Sequence, residues 1–246
     1  MSCNLVIILV QPQLVENIGM TARAMMNCGL SELRLVNPRD PWPLGEVHHQ
    51  RMMKASSGAD EILQNAKFFA SLPEALADLN YVLATTARVH DMTNRIQTPR
   101  GAMPAMVARV ADGQHVGVMF GPERTGLTGD QVALAHGRIT IPLNPEFTSL
   151  NLAQAVLLIG YEWYQARDET PPDVLRMGQG RPATHDEYMN FFQRLETLLE
   201  ERGFFIARDM RPTMLRSLHS TLQRAQMTEQ EIRTWHGVLT ALIGKK

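Results

Sequence analysis

Short unbroken apolar runs alternate along this chain with longer stretches in which apolar residues recur every three or four positions. Leu5–Val10, Leu33–Val36, Tyr81–Ala84, Val116–Phe120 and Arg138–Ile141 read as strands, the first of them buried on both faces. Between them, Ile18–Cys28 reads as a helix closed by Gly29. His48 to Gln64 is helical and broken near Ser56-Ser57-Gly58. Ser71-Leu72-Pro73-Glu74 has the capping-box pattern and opens a short helix to Leu79. Met103–Val110 is a further helix. A long one runs from Ser149 to about Arg167, with Leu152, Val156, Ile159 and Trp163 on one face. Strands alternating with helices predict an α/β fold, a mostly parallel sheet flanked by helices. Pro- and Gly-rich residues near 170–183 read as a linker. Beyond it, Thr184-His185-Asp186-Glu187 and Thr228-Glu229-Gln230-Glu231 each have the pattern that opens a helix. The expected organisation is a domain over 1–168, a linker over 169–183 and a small helical C-terminal extension over 184–246.

Composition narrows the class without choosing a function. An apolar fraction of 44% and a charged fraction of 20% in 246 residues suit a globular protein with a sizeable core. The formal net charge is -1, so a nucleic-acid partner must be met by a local patch. Residues 1–170 carry -3 and residues 171–246 carry +2, which points to the C-terminal part as the basic one. Cys3 and Cys28 read as reduced thiols outside any metal-ligand spacing. His48-His49 has no partner cluster, and no metal is expected. Without a leader-like N-terminus or an apolar run of the ~20 residues that span a bilayer, the expected location is cytoplasmic, away from membranes.

The candidate chemistry lies in loops at strand ends. A G-x-G-x-x-G after the first strand, a P-loop and a G-x-S-x-G elbow are all missing. Three segments remain: Thr85-Thr86-Ala87, Gly121–Leu127 and Ile141–Leu150. Each follows a strand, and open α/β sheets bind ligands at the C-terminal ends of their strands. Glycine, proline and small polar residues there let a nucleotide-sized ligand approach the backbone; simple turns with a proline stop are the alternative. A fourth segment runs from Asn17 to Arg23. Gly19 and Ala22 within it would let a ligand or another backbone come close, while Arg23 could be no more than a helix-surface charge.

Taken together, these segments resemble the SPOUT superfamily of RNA methyltransferases. The resemblance rests on Asn17-x-Gly19-x-x-x-Arg23, on Phe120-Gly121-Pro122-Glu123-Arg124-x-Gly126-Leu127, and on Ile141-Pro142 followed by Ser149-Leu150-Asn151-Leu152-Ala153. They stand in family order, and the likeness covers at least residues 4–167. Within the superfamily the chain looks like the ribose 2′-O-methyltransferases that act on nucleotide 32 of the tRNA anticodon loop. Asn144–Asn151 is similar to that group's third motif, and Met214–Leu218 and Trp235–Leu239 loosely to its C-terminal extension. Ser217 stands where that group often has a basic residue.

The resemblance implies a C-terminal trefoil knot, a homodimer and S-adenosylmethionine as cofactor. Carried over by position, the cofactor contacts would be Thr85, Thr86, Ala87, Gly121, Ile141, Thr148, Ser149 and Leu150. The catalytic set would be Arg23, Asn17, Glu123 and Asn151. A guanidinium stays charged at ordinary pH, so Arg23 is read as a bidentate phosphate holder that also stabilises the developing alkoxide. Asn17 would orient it. Arg208, Arg211, Arg216 and Arg224 are the candidate RNA contacts, with a solvated helix face as the other reading. A ribosomal RNA substrate, or a non-catalytic RNA-binding protein of the same fold, are the alternatives.

Overall fold

The computed structural model describes residues 5–86, 95–171, 173 and 180–244. The elements run β1 (Leu5–Val10), α1 (Val15–Asn27), β2 (Leu33–Val36), α2 (Glu46–Ser56), α3 (Asp60–Gln64), β3 (Lys67–Phe69), α4 (Leu72–Leu76), β4 (Tyr81–Thr85) and β5 (Ile96–Gln97). They continue with α5 (Pro99–Ala111), β6 (Val116–Phe120), α6 (Gly129–Ala133), β7 (Gly137–Ile139), α7 (Leu152–Gln165), α8 (His185–Glu201), α9 (Arg211–Gln223) and α10 (Glu229–Ile243). The strands form one seven-stranded sheet in the order β3-β2-β1-β6-β4-β7-β5, and every pairing is parallel.

Successive residues of a strand face opposite sides, so the apolar runs feed two layers. Leu5, Ile7 and Leu9 of β1 pack with Ile18 and Met25 of α1, Met106 of α5 and Trp163 of α7. Val6, Ile8 and Val10 pack with Ala75 of α4 and Val132 of α6 on the other side. Close helix packing explains two glycines. A Cβ on Gly19 would overlap the carbonyl oxygen of Met52, so the small residue admits the backbone of α2 rather than a ligand. A Cβ on Gly160 of α7 would sit 3.1 Å from Cys28. Arg34 of β2 centres a buried ion cluster. Its guanidinium reaches Asp78 at 2.5 Å, Glu32 at 2.7 Å and the carbonyl of Ala75 at 2.7 Å, which satisfies a charge that would otherwise be costly to bury. The hydrogen bonds from Arg34 hold the Asp78 carboxyl below its usual range.

Several expected boundaries shift. Strands β3 and β5 were not expected: they have three and two residues, lie at the sheet's two edges, and show no buried run. The strand expected to reach Ile141 ends at Ile139, and the helix expected from Ser149 starts at Leu152. Asn151 sets that start: its Oδ1 accepts from the Ala153 N–H at 2.9 Å, and Gln154 reaches back to the Asn151 N–H at 3.3 Å. Ser71 makes no side-chain cap. Pro73 removes one of the two amides a capping serine would bond.

Chain contacts divide the molecule into two compact units, Met1–Thr170 and Pro171–Lys246. The second has its own small core of Tyr188, Phe191, Phe192, Ile232 and Leu239. Its first and last helices, α8 and α10, open with the expected capping boxes. Thr184 accepts from the Glu187 N–H at 3.2 Å, and Thr228 from the Glu231 N–H at 3.3 Å.

Candidate active site

Three neighbouring strands, β6, β4 and β7, end side by side, and the chain leaving them encloses a cavity of about 360 Å³. Thr85 and Thr86 at the end of β4, Gly121 after β6, and Ile141, Thr148, Ser149 and Leu150 after β7 all line it. The structure thus brings together seven of the eight expected cofactor contacts; Ala87 lies outside the described residues. The Thr85 hydroxyl donates to the Met119 carbonyl at 2.8 Å, so it braces two strand ends. Thr140 likewise donates to the Thr86 carbonyl at 3.0 Å and ties the end of β7 to that of β4.

Gly121 has a steric reason. The loop Pro122–Leu127 folds back over it, and a Cβ there would collide with the backbone of Gly126 and Leu127. Gly126 closes that loop at φ +66°, in the left-handed region that favours glycine, and donates to the Pro122 carbonyl at 2.8 Å.

Below this loop the three motifs are bonded into one network. Glu123 accepts the backbone N–H groups of Gln13 at 2.9 Å and Leu14 at 3.2 Å, and the amide of Asn17 at 2.8 Å. Asn17 in turn accepts from the Asn151 amide at 3.0 Å. The direction of the chain follows from chemistry: an ionised carboxylate can only accept, so Asn17 presents its NH₂ to Glu123 and its oxygen to Asn151. Helix α1 has no side-chain cap of its own, and Glu123 supplies one from more than a hundred residues away. A carboxylate at a helix N-terminus is favoured by both the free N–H groups and the macrodipole. Asn17 is 3% exposed, which fits a residue held on both sides.

Arg23 stands elsewhere. It is exposed on α1, does not line the cavity, and has no bonded partner among the described residues. The expected contact by which Asn17 would orient it is not made, because both ends of the Asn17 amide are engaged by Glu123 and Asn151. Sequence reasoning did not single out Arg124. It lines the cavity beside Glu123 and is the only cationic group among the described lining residues. Its place inside the Gly121–Leu127 motif was the available signal.

Of the candidate RNA contacts, Arg211 is placed differently from the other three. It pairs with Glu196 at 2.8 Å and Glu200 at 2.7 Å and stacks over Phe205, so it is already neutralised within its own unit. Arg208, Arg216 and Arg224 are exposed and lack a carboxylate partner among the described residues. Among the described residues, no cluster of three His, Cys, Asp or Glu side chains could hold a metal ion, and no helix is long and apolar enough to cross a membrane.

The model of the SpoU rRNA methylase family matches residues 4–161, the span that contains the cavity and its bonded network. The chain belongs to the SpoU methylase family. As a SpoU methylase it is an RNA methyltransferase. It is 34% identical to the tRNA (cytidine/uridine-2'-O-)-methyltransferase TrmJ of Yersinia enterocolitica, over 97% of this chain and 91% of the relative. The crystal structure of TrmJ from Z. mobilis ZM4 is 44% identical, covers 97% of this chain and 99% of its own, and superposes with a TM-score of 0.79. The SpoU methyltransferase AviRb of Streptomyces viridochromogenes, in complex with the cofactor AdoMet, shares the fold. It has 19% identity and a TM-score of 0.51 over 68% of this chain and 59% of its own.

Proposed function

We propose that this SpoU methylase transfers a methyl group from S-adenosylmethionine to a ribose 2′-hydroxyl of tRNA, at nucleotide 32 of the anticodon loop, and that it works as a homodimer. The observation that carries the reading is the convergence of Thr85, Thr86, Gly121, Ile141, Thr148, Ser149 and Leu150 on one cavity. The names of the full-length TrmJ relatives supply the substrate class.

The residues present suit the cofactor. The cavity lies in the ~300–1,000 Å³ range of small-molecule sites. Ile141, Leu143, Leu150 and Ala155 give an apolar wall for an adenine, and the strand-end backbone offers N–H and C=O groups to a nucleoside. Gly121 keeps the loop close enough to cradle it. S-adenosylmethionine supplies, when bound, a methyl group already activated by its sulfonium. The protein must then align the ribose oxygen with that group and help the hydroxyl lose its proton. Arg23 is the residue for the second task, holding the adjoining phosphate in a bidentate grip and stabilising the alkoxide as it forms. Glu123, Asn17 and Asn151 act as positioning residues that fix α1 and α7 against the cofactor loop.

A homodimer suits this division, since Arg23 is exposed and does not line its own cavity. Met20, Arg23 and Met26 share the exposed side of α1, and Leu157, Tyr161 and Tyr164 are exposed on α7, which packs against it. Burying that apolar face against a second copy would place Arg23 in the dimer interface, and we assign it there to the partner's cavity. The segment between Thr140 and Asn151, tied to Thr86 at one end and Asn17 at the other, is the part of the chain we assign to a trefoil knot. Residues 184–246 are assigned to holding the tRNA.

The test is mass spectrometry of tRNA from a strain that lacks the protein. Loss of the 2′-O-methyl group at nucleotide 32, restored by the wild-type gene, supports the reading. Intact tRNA with a lost ribosomal RNA methylation overturns it.

A further inference from the structure

The arginines of the C-terminal unit fall into two groups. Arg181, Arg211 and Arg233 are paired with carboxylates. Arg194 and Arg202 bond carbonyl oxygens of α10, and Arg194 also His236 and Thr240. Arg208, Arg216 and Arg224 do neither: among the described residues Arg216 bonds only the Thr213 hydroxyl, Arg208 and Arg224 have no side-chain partner, and of the three only Arg216 and Arg224 line a common groove. These two bracket one side of α9. Arg216, His219, Ser220, Gln223 and Arg224 follow one another at helical spacing and line, with Gln226, a shallow groove of about 480 Å³. Among the described residues, no carboxylate lines it. Every lining side chain can donate a hydrogen bond, and two carry fixed positive charge.

We propose that this ridge is where the enzyme grips the sugar-phosphate backbone of a base-paired RNA stem. The inference rests on the reading of the chain as a tRNA methyltransferase and deepens it by naming the surface and what it touches. Eight residues of helix set the backbones of the two arginines roughly 12 Å apart along the axis, which lets each reach a different phosphate. Between them the neutral donors of His219, Ser220 and Gln223 suit ribose 2′-hydroxyls, which an A-form stem displays in its shallow minor groove. The attraction must come from side chains: Arg224 stands at the C-terminal end of α9, where the helix dipole disfavours an anion. The ridge is also held firmly. The carbonyl of His219 accepts from the Tyr188 hydroxyl at 3.0 Å, and its ring lies edge-on to Phe192 with centroids 4.9 Å apart. Contacts of this kind recognise shape rather than base sequence, so they would seat a stem and leave the choice of nucleotide to the cavity.

The experiment is the salt dependence of binding between the full-length protein and a tRNA transcript. Each phosphate contact contributes roughly 0.7–0.9 to the slope of log K against log salt. The double variant Arg216→Gln/Arg224→Gln should flatten that slope by about 1.5 and weaken binding at least tenfold at physiological salt. Gln223→Glu, which keeps both arginines but puts a carboxylate between them, should weaken binding in the same direction. Arg211→Gln should leave the slope unchanged, since that charge is already paired. Circular dichroism confirms that each variant is folded. If the wild type binds and methylates tRNA but the double variant keeps its slope, the ridge proposal fails and the function stands. If the wild type neither binds nor methylates tRNA, the functional reading fails, and the ridge is judged with a structured ribosomal RNA transcript instead. An affinity loss in the double variant there supports an RNA-backbone ridge, and no loss overturns it.

Discussion

In the unit that ends at Thr170, the cavity wall is mostly strand-end backbone and small or apolar side chains, with Arg124 beside them, and the lining carboxylate of Glu123 is engaged in holding α1. In the unit that begins at Pro171, the candidate surface is made of long charged side chains on α9. A cavity built on backbone geometry has no spare room, so one added methyl group can abolish it. A surface built on exposed charges is graded, and each side chain contributes a part that salt can screen. The same comparison explains why Arg211 and Arg216, five residues apart, have different meanings. The first completes an intramolecular ion pair, while the second leaves its charge to solvent or a ligand.

The comparison breaks most sharply at Gly121. Gly121→Ala places a methyl group against the backbone of Gly126 and Leu127, and the loop must open. Overpacking of this kind costs ~1–3 kcal/mol in stability, and the cavity cannot keep its shape. Calorimetric titration should find S-adenosylmethionine binding lost, while tRNA binding through the second unit is retained. Retained cofactor affinity would show that the loop is not part of the site.

Arg23 comes next. Arg23→Ala should lower the single-turnover methylation rate by roughly 10²–10³-fold, the usual effect of removing a charge-stabilising donor. Cofactor affinity should not change, because Arg23 does not line its own cavity. Arg23→Lys keeps the charge and loses the planar fork, so it should remain well below wild type. A lysine variant at near-normal rate contradicts the bidentate role.

Glu123→Gln should have a smaller, structural effect. The neutral amide caps α1 less well, and loss of a helix cap costs ~0.5–2 kcal/mol. A lowered melting temperature with cofactor binding intact is expected. A large rate loss with unchanged stability would mean that Glu123 touches the reacting atoms.

The smallest effect belongs to the second unit. Hydrogen bonds from Arg181 and from the Thr184 backbone hold the Glu187 carboxyl at about 2, below its ordinary 4.5. The folded form is the one with the depressed value, so this contribution is complete above 4.5 and is lost as the pH falls toward about 2. Both groups are solvent-exposed and screened by salt, so the shift should be modest. Acid titration of helicity should show a step in the wild type that Glu187→Gln lacks. Identical curves refute the pair's contribution.

Much of this was legible in the residues. Leu5–Val10 and Val116–Phe120 are unbroken apolar runs, and only a strand buried on both faces needs one. Gly121, Pro122 and Gly126 announce a tight strand-end loop, and Thr184 and Thr228 stand three residues before glutamates. What escaped were features that depend on distant neighbours. Lys67–Phe69 and Ile96–Gln97 become strands because an edge is available to pair with, not through any alternation of their own. Ser71 looked like a cap, and Pro73 removed an amide it would bond. The use of Glu123 as the cap of α1 joins residues more than a hundred apart, which no local pattern carries. The pairing of Arg211 depends on how α8 and α9 pack, and spacing along the chain does not reveal that.

The most direct test uses purified protein, S-adenosylmethionine and two tRNA transcripts, identical except that one carries a 2′-deoxynucleotide at position 32. The account predicts methyl transfer to the first, mapped to the ribose of nucleotide 32, and none to the second. Equal transfer to both transcripts would contradict it.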